Sequence, residues 1–267
     1  MTTTIPNYLL SVLADPKTSK SINDGFLTGA QYLAPNTISG RDVCGPDATP
    51  GCTGSCLYTS GHGAFTSTQL ARIERTNYFF DHRDDYFALK VKEIQALNRK
   101  ADRMGMLPCV RPNATSDLPW ERIGFTYNGK RYANIMEFFP SVQFYDYTKV
   151  GKRFFTALPS NYDLTFSRAE TAANHAMAEL LLSMGHNVAV VFGISNRGKV
   201  HKPLPMYSHV IGDQDYPVID GDVSDLRFLD PKGHIVGLRM KGDAIHDTTG
   251  FVVRLEESLA DTPTIRI

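Results

Sequence analysis

The chain has 267 residues, of which 42% are hydrophobic and 21% are charged, an ordinary globular composition. Its 28 lysine and arginine residues balance 28 aspartate and glutamate residues, so a strongly basic nucleic-acid-binding surface is not expected. No apolar run approaches the roughly 20 residues of a membrane helix, and no signal peptide is visible. We therefore expect a cytoplasmic protein with no membrane partner, whose four cysteines are ligands or free thiols.

Predicted strands and helices alternate along the chain. The pattern predicts a short helix over 8–14, a strand over 26–33 and helices over 66–80 and 84–104. Later strands are predicted over 107–111, 143–147, 162–166, 188–192 and 234–240. Helical segments between them are predicted over 119–139 (interrupted near 128–129), 150–158 and 169–184.

This alternation predicts an α/β fold with a mostly parallel sheet, arranged as a TIM-like full or partial (β/α) barrel. A doubly wound open sheet is the alternative. The length suits a single domain spanning 1–267. Within it, we expect an N-terminal helical extension at 1–24, a cysteine loop at 42–64 and a C-terminal tail at 254–267.

Three of the four cysteines lie in one glycine-rich, nearly charge-free segment, DVCGPDATPGCTGSCLYTSGHG. Cys52 and Cys56 are four residues apart, so a helical turn would place both thiols on one face, where Cys44 can fold back to join them. A helix N-terminus at Pro50 would lower the thiol pKa. Three thiolates with one coordination position open predict a metal or iron–sulfur site, such as a [4Fe–4S] cluster.

Other interpretations of the cysteines stay open. Zinc is the alternative metal, with His62 or Cys109 as a fourth ligand. Cys109 lies in a predicted strand, where an interior position is the simpler interpretation, and the loop cysteines can also be small buried hydrophobic residues. The HExxH, GxSxG, Walker and GxGxxG motifs are absent.

Polar side chains follow the predicted strands, and the carboxyl ends of parallel strands form the rim of active sites in α/β folds. We therefore expect a pocket for a small-molecule or nucleotide substrate. Asp117 and Ser167 also suit helix caps. The candidate catalytic residues are Arg111, Asn113, Asp117, Tyr145, Tyr147, Lys149, Asp222 and Asp225. The candidate cofactor-binding residues are Ser167 and Arg168.

The chain resembles an uncharacterised bacteriophage protein family, which has a similar cysteine-rich loop followed by the same order of strand-end motifs. The resemblance spans about residues 25–253. It lies in the segments RTNYFFDHRDDYF, VRPNATSDLPWE, FPSVQFYDYTK, NYDLTFSRAE, NVAVVF and IDGDVSDLRFLDPKGHIVGLRMKG. It implies a phage-encoded protein in the host cytoplasm.

The cysteine loop is more distantly similar to that of radical S-adenosylmethionine enzymes, which place three cysteines after the first strand of a partial (β/α) barrel. This resemblance implies that Cys44, Cys52 and Cys56 hold a [4Fe–4S] cluster whose fourth iron binds S-adenosylmethionine. That family has the spacing CxxxCxxC, whereas this chain has Cx7CxxxC.

The first functional hypothesis is an iron–sulfur enzyme of phage origin with an unknown substrate. The second is a phage DNA replication or modification factor that binds nucleic acid and has a structural zinc or iron–sulfur site. The third is an enzyme that acts without metal, its cysteines serving only to pack the interior.

Overall fold

The computed structural model describes residues 5–14, 16–195 and 202–255. The strands are β1 (Leu10–Val12), β2 (Phe26–Gln31), β3 (Leu107–Arg111), β4 (Phe125–Tyr127), β5 (Lys130–Tyr132), β6 (Gln143–Thr148), β7 (Tyr162–Ser167), β8 (Val188–Ser195), β9 (Tyr207–Ser208), β10 (Tyr216–Asp220), β11 (Ile235–Met240) and β12 (Val252–Val253). The helices are α1 (Pro16–Lys20), α2 (Pro50–Gly54), α3 (Thr66–Asp81), α4 (Arg83–Met104), α5 (Ile135–Phe138) and α6 (Ala172–Ser183).

Ten strands form one mostly parallel sheet, which confirms the α/β prediction. Its order is β1-β2-β3-β6-β7-β8-β11-β10-β9, and β12 pairs with β8. All neighbours pair in parallel except β1 with β2 and β10 with β9, so antiparallel strands lie at both edges. The sheet does not close, so the prediction of a full barrel is not confirmed. The five strands from β2 to β8 lie in chain order, whereas a doubly wound sheet reverses its order at a switch point.

The helices that follow the cysteine loop are confirmed as α3 and α4. The side chains that the helical spacing predicts to face the interior are all buried, namely Phe87, Val91, Ile94, Leu97 and Ala101. They belong to a core cluster that includes residues of β2, β3, β6 and β7. Gly105 ends α4 in the left-handed conformation, with a φ of 66°.

Two helical predictions are wrong. The 8–14 segment contains β1, because Leu10 pairs with Gln31 and the Glu93 carboxylate accepts the main-chain N–H groups of Leu9 and Leu10 at 2.8 and 2.7 Å. The 119–139 segment contains the β4–β5 hairpin. Its two-residue loop, 128–129, has positive φ at both positions, as an Asn-Gly hairpin turn requires.

The predicted 169–184 helix is shorter and turned about its axis relative to expectation. Leu180 and Met184, predicted on the buried stripe, are 45% and 51% exposed, while Ala178, Leu181 and Leu182 are buried. In the part of the chain that the structure describes, no helix combines the length and apolar composition needed to cross a membrane. Residues 1–4 and 15 of the predicted extension and 256–267 of the predicted tail lie outside the described residues.

A buried lysine links α4 to the end of β2. Lys90 Nζ donates to Gln31 Oε1 at 2.9 Å, the oxygen that also accepts from Tyr86, and lies 3.5 Å from the centroid of the Trp120 ring. Gln31 in turn donates to the Pro112 carbonyl at 3.1 Å, just beyond β3. Burial lowers the pKa of Lys90 to about 7, although nearby carboxylates oppose the shift. This network joins the end of β2, which precedes the cysteine loop, to the segment that follows β3.

Replacing Lys90 by Met should stabilise the protein most at low pH. An unfolded lysine keeps its proton to pH ~10.4, so above pH 7 the folded protein binds fewer protons and wild-type stability rises with pH. We expect Lys90→Met to raise the free energy of unfolding by about 1–4 kcal/mol at pH 6. The advantage should shrink by about 1–2 kcal/mol by pH 8.5, as measured by urea unfolding.

The matched control is Lys92→Met, which replaces an exposed lysine two residues along the same helix. It should shift the unfolding midpoint little, and equally at both pH values. An advantage of Lys90→Met that is the same at pH 6 and pH 8.5 would contradict the lowered pKa.

Candidate functional site

The cysteine loop places its thiols by three different local structures. Cys52 lies within α2, where the Thr49 hydroxyl oxygen accepts its main-chain N–H at 3.2 Å and Pro50 occupies the first turn. Cys56 lies beyond the end of α2 on extended backbone, so the predicted shared helix face is wrong. The Cys44 sulfur accepts a hydrogen bond from the Asn36 N–H at 3.1 Å.

Glu170, which follows β7, fixes the start of α2. Its carboxylate accepts the Gly51 N–H and the Thr49 hydroxyl, each at 2.8 Å. Gly51 is tightly enclosed, since a Cβ there would lie 2.3 Å from Thr249 Oγ1 and 2.6 Å from Phe251 Cβ. The end of β7 and the segment before β12 therefore clamp the cysteine helix against the sheet.

Burial dominates the electrostatics of the three thiols. The pKa of Cys44 is raised to about 12, mainly by burial and in smaller part by the neighbouring thiols Cys56 and Cys52, while the hydrogen bond from Asn36 opposes the shift. Burial also raises the pKa of Cys52 and of Cys56, while Lys149 opposes the shift at both thiols and Arg72 opposes it at Cys56. The expected lowering of the thiol pKa by a helix N-terminus is therefore wrong, because burial raises the pKa of all three thiols.

The three cysteines and the strand-end side chains line one cavity of about 970 Å³. Eleven of the thirteen predicted site residues contribute to its wall. They are Cys44, Cys52, Cys56, Arg111, Asn113, Asp117, Tyr147, Lys149, Ser167, Asp222 and Asp225. Because β3, β6, β7 and β10 run parallel, the residues after them meet at one edge of the sheet.

Tyr145 and Arg168 lie outside the wall of this cavity. Tyr145 is fully buried below it, and its hydroxyl group is 3.3 Å from Asp225 Oδ2. The Arg168 guanidinium donates to the carbonyls of Gly250 and Phe251 at 2.6 and 3.0 Å. Both side chains therefore position parts of the wall.

Asn113 and Asp117 organise the loop after β3. Asn113 donates its main-chain N–H to Asp146 at 2.8 Å, and its amide oxygen accepts from the Trp120 indole at 3.0 Å. Asp117 accepts the Lys149 N–H at 2.8 Å and pairs with Arg153 at 3.0 Å, so it orients the segment that carries Lys149. The expected cap is not formed, because the short 3₁₀ helix Trp120–Arg122 has Pro119 at its N-cap position.

Lys149 connects the strand ends to the cysteine loop. Its Nζ donates to Ser167 Oγ at 2.8 Å and lies 5.0 Å from the centroid of the Phe251 ring. Its positive charge opposes the rise in the pKa of Cys52, which lines the same cavity.

Sequence reasoning missed two arginines of α3 that line the cavity, Arg72 and Arg75. They are three residues apart and buried, so they share one helix face. The Arg72 guanidinium lies 5.1 and 5.4 Å from the ring centroids of Tyr32 and Tyr58. The sequence signal for them was their three-residue spacing, which places both arginines on the buried face of α3.

The two candidate fourth ligands lie in different places. Cys109 is buried in β3, with its sulfur 3.1 Å from Thr28 Oγ1, and does not line the cavity, whereas His62 does. Within the described ranges, no group of three or more His, Cys, Asp or Glu side chains is arranged to hold a metal ion. As a donor set, three soft thiols beside two cations suit an iron–sulfur cluster, whose anionic charge those cations would offset.

A family model described as gene product 88 matches residues 10–255. The chain belongs to the gene product 88 family. The match agrees with the resemblance to a phage protein family, and the matched range contains all thirteen predicted site residues. No curated protein and no solved structure matches the chain.

In this gene product 88 protein, two glycines of α2 provide a matched test of the clamp on the cysteine helix. Gly51→Ala must displace Glu170, Thr249 or Phe251, so we expect it to lower the free energy of unfolding by about 1–3 kcal/mol. Gly54→Ala meets no atom within 4 Å and should leave stability unchanged or raise it by about 0.5–1 kcal/mol. Equal urea midpoints for the two variants would contradict the clamp.

Proposed function

We propose that this gene product 88 protein is an iron–sulfur enzyme of a phage. Cys44, Cys52 and Cys56 hold a [4Fe–4S] cluster and leave one iron for a further ligand. The observation that carries the proposal is that three thiols line one cavity together with the polar residues of the strand ends. The charges of neighbouring thiols raise the pKa of Cys44 and of Cys56, so the thiols lie near one another, and a cluster would draw them closer than they are among the described residues.

The strand order supports a partial (β/α) barrel, because β2, β3, β6, β7 and β8 are neighbours in chain order. A partial barrel with its cysteine loop after the first parallel strand is the arrangement that the radical S-adenosylmethionine resemblance implies. In that arrangement S-adenosylmethionine is the ligand of the open iron. Lys149 and Arg72 would then offset the charge of the thiolates.

The alternative is a phage DNA replication or modification factor with a structural zinc or iron–sulfur site. The basic side chains of the cavity support an anionic partner. Arg72, Arg75 and Arg111 are nevertheless buried, and binding to a nucleic-acid backbone relies on exposed basic groups. We therefore place this function second.

Anaerobic purification and reconstitution with iron and sulfide test the proposal. We expect about four iron and four acid-labile sulfide per chain, with the broad visible absorption of a [4Fe–4S] cluster. Cys52→Ala should lose most of both, because it removes one of three ligands.

Cys109→Ala is the matched control, since it removes a thiol that lies outside the cavity. It should keep the iron and sulfide content of the wild type. Stoichiometric zinc without sulfide in the wild type, or equal iron contents in the two variants, would contradict the proposal.

A further inference from the structure

The cavity carries more positive than negative side chains. Seven lysine and arginine side chains and three aspartates line it within the described part of the chain, an excess of four positive charges. A [4Fe–4S] cluster held by three thiolates has a small net negative charge, so most of the positive excess would remain.

Part of this charge is neutralised within the wall. Arg111 pairs with Asp225 at 2.7 Å. Arg239 and Lys241 both pair with Asp222, and these contacts lower the pKa of Asp222 although burial raises it. The wall near β10 and β11 is therefore close to electrically balanced.

The wall near α3 and the cysteine loop is not balanced. Among the described residues, no ion pair involves Arg72, Arg75 or Lys149. Arg75 donates to main-chain carbonyls, and Lys149 donates to Ser167 and to main-chain carbonyls. Arg72 and Arg75 belong to α3 and Lys149 directly follows β6, and all three line the cavity that the thiols also line.

Three of the side chains in the wall also have buried polar atoms without hydrogen-bond partners in the described part of the chain. They are Nε and Nη1 of Arg72, Nε of Arg111 and the hydroxyl of Tyr147. A buried donor without a partner costs about 1–3 kcal/mol, and more when the group is charged. Such groups in a cavity wall indicate a missing anion or polar ligand.

We propose that the cavity binds a phosphorylated small molecule, with Arg72, Arg75 and Lys149 as the phosphate-binding residues. Guanidinium groups match the oxygens of a phosphate with paired N–H donors. A single carboxylate would leave most of the positive excess unbalanced, whereas a phosphate ester or diphosphate carries two or more negative charges. The cavity volume of about 970 Å³ is at the upper end of the range for small-molecule sites.

The burial of the arginines favours a small molecule over a nucleic-acid polymer as the ligand of the cavity. Arg72, Arg75 and Arg111 are each only 5% exposed, so their charges face the cavity instead of an outer surface. The assignment of this molecule as the substrate rests on the proposed iron–sulfur function. Phosphate binding by the cavity is independent of that function.

Isothermal titration of the metal-free, reduced protein with pyrophosphate tests this site separately from the cluster. We expect saturable binding of about one pyrophosphate per chain, weakened by salt. Arg72→Gln should weaken it by about ten- to a hundredfold, the effect of losing a charged hydrogen bond. Lys149→Gln serves as a second variant if Arg72→Gln does not fold, which far-ultraviolet circular dichroism checks.

The matched control is Arg99→Gln, which makes the same change at an exposed position of α4 outside the cavity. It should bind pyrophosphate as the wild type does. No binding to the wild type at millimolar pyrophosphate, or equal affinity in all variants, would overturn the site. Citrate binding as tightly as pyrophosphate would overturn the phosphate assignment. Protein that takes up no iron or sulfide on reconstitution, yet binds pyrophosphate, would refute the cluster and leave this site standing.

Discussion

The parallel pairing of eight strands is the constraint on which the rest of the structure depends. Because these strands run in one direction, every segment that leaves a strand at its carboxyl end does so at the same edge of the sheet. Residues as distant in sequence as Arg111, Lys149 and Asp225 therefore share one cavity. The cysteine loop enters that cavity because it follows the first parallel strand.

The Glu170 carboxylate links the sheet to the helix that contains Cys52. Glu170, which follows β7, accepts hydrogen bonds from Thr49 and Gly51 at the start of α2. The atoms around Gly51 leave no room for a side chain at that position. Lys149, which follows the neighbouring strand β6, lines the same cavity as Cys52 and opposes the rise in its pKa. The thiols are thus held by groups that the sheet itself positions, and their burial raises the pKa of each.

The sequence predicted the features that depend on local periodicity. The face of α4 and the parallel strands follow from residue spacing, and the meeting of strand-end residues follows from parallel topology. Errors arose where distant contacts decide the structure. The Glu93 carboxylate binds main-chain N–H groups of the 8–14 segment, which contains a strand instead of a helix. Tyr145 lies two residues before Tyr147 in the same strand and is therefore below the cavity. The role of α3 was missed because the three-residue spacing of Arg72 and Arg75 does not by itself show that their helix face is buried.

The central claim is that the three loop thiols act together on one cluster in the strand-end cavity. A crystal structure of the anaerobically reconstituted protein, with anomalous data collected at the iron edge, tests it most directly. The account predicts iron peaks between the sulfurs of Cys44, Cys52 and Cys56, facing the cations of the cavity. Iron bound elsewhere, or three reduced thiols with no iron between them in fully reconstituted protein, would contradict it.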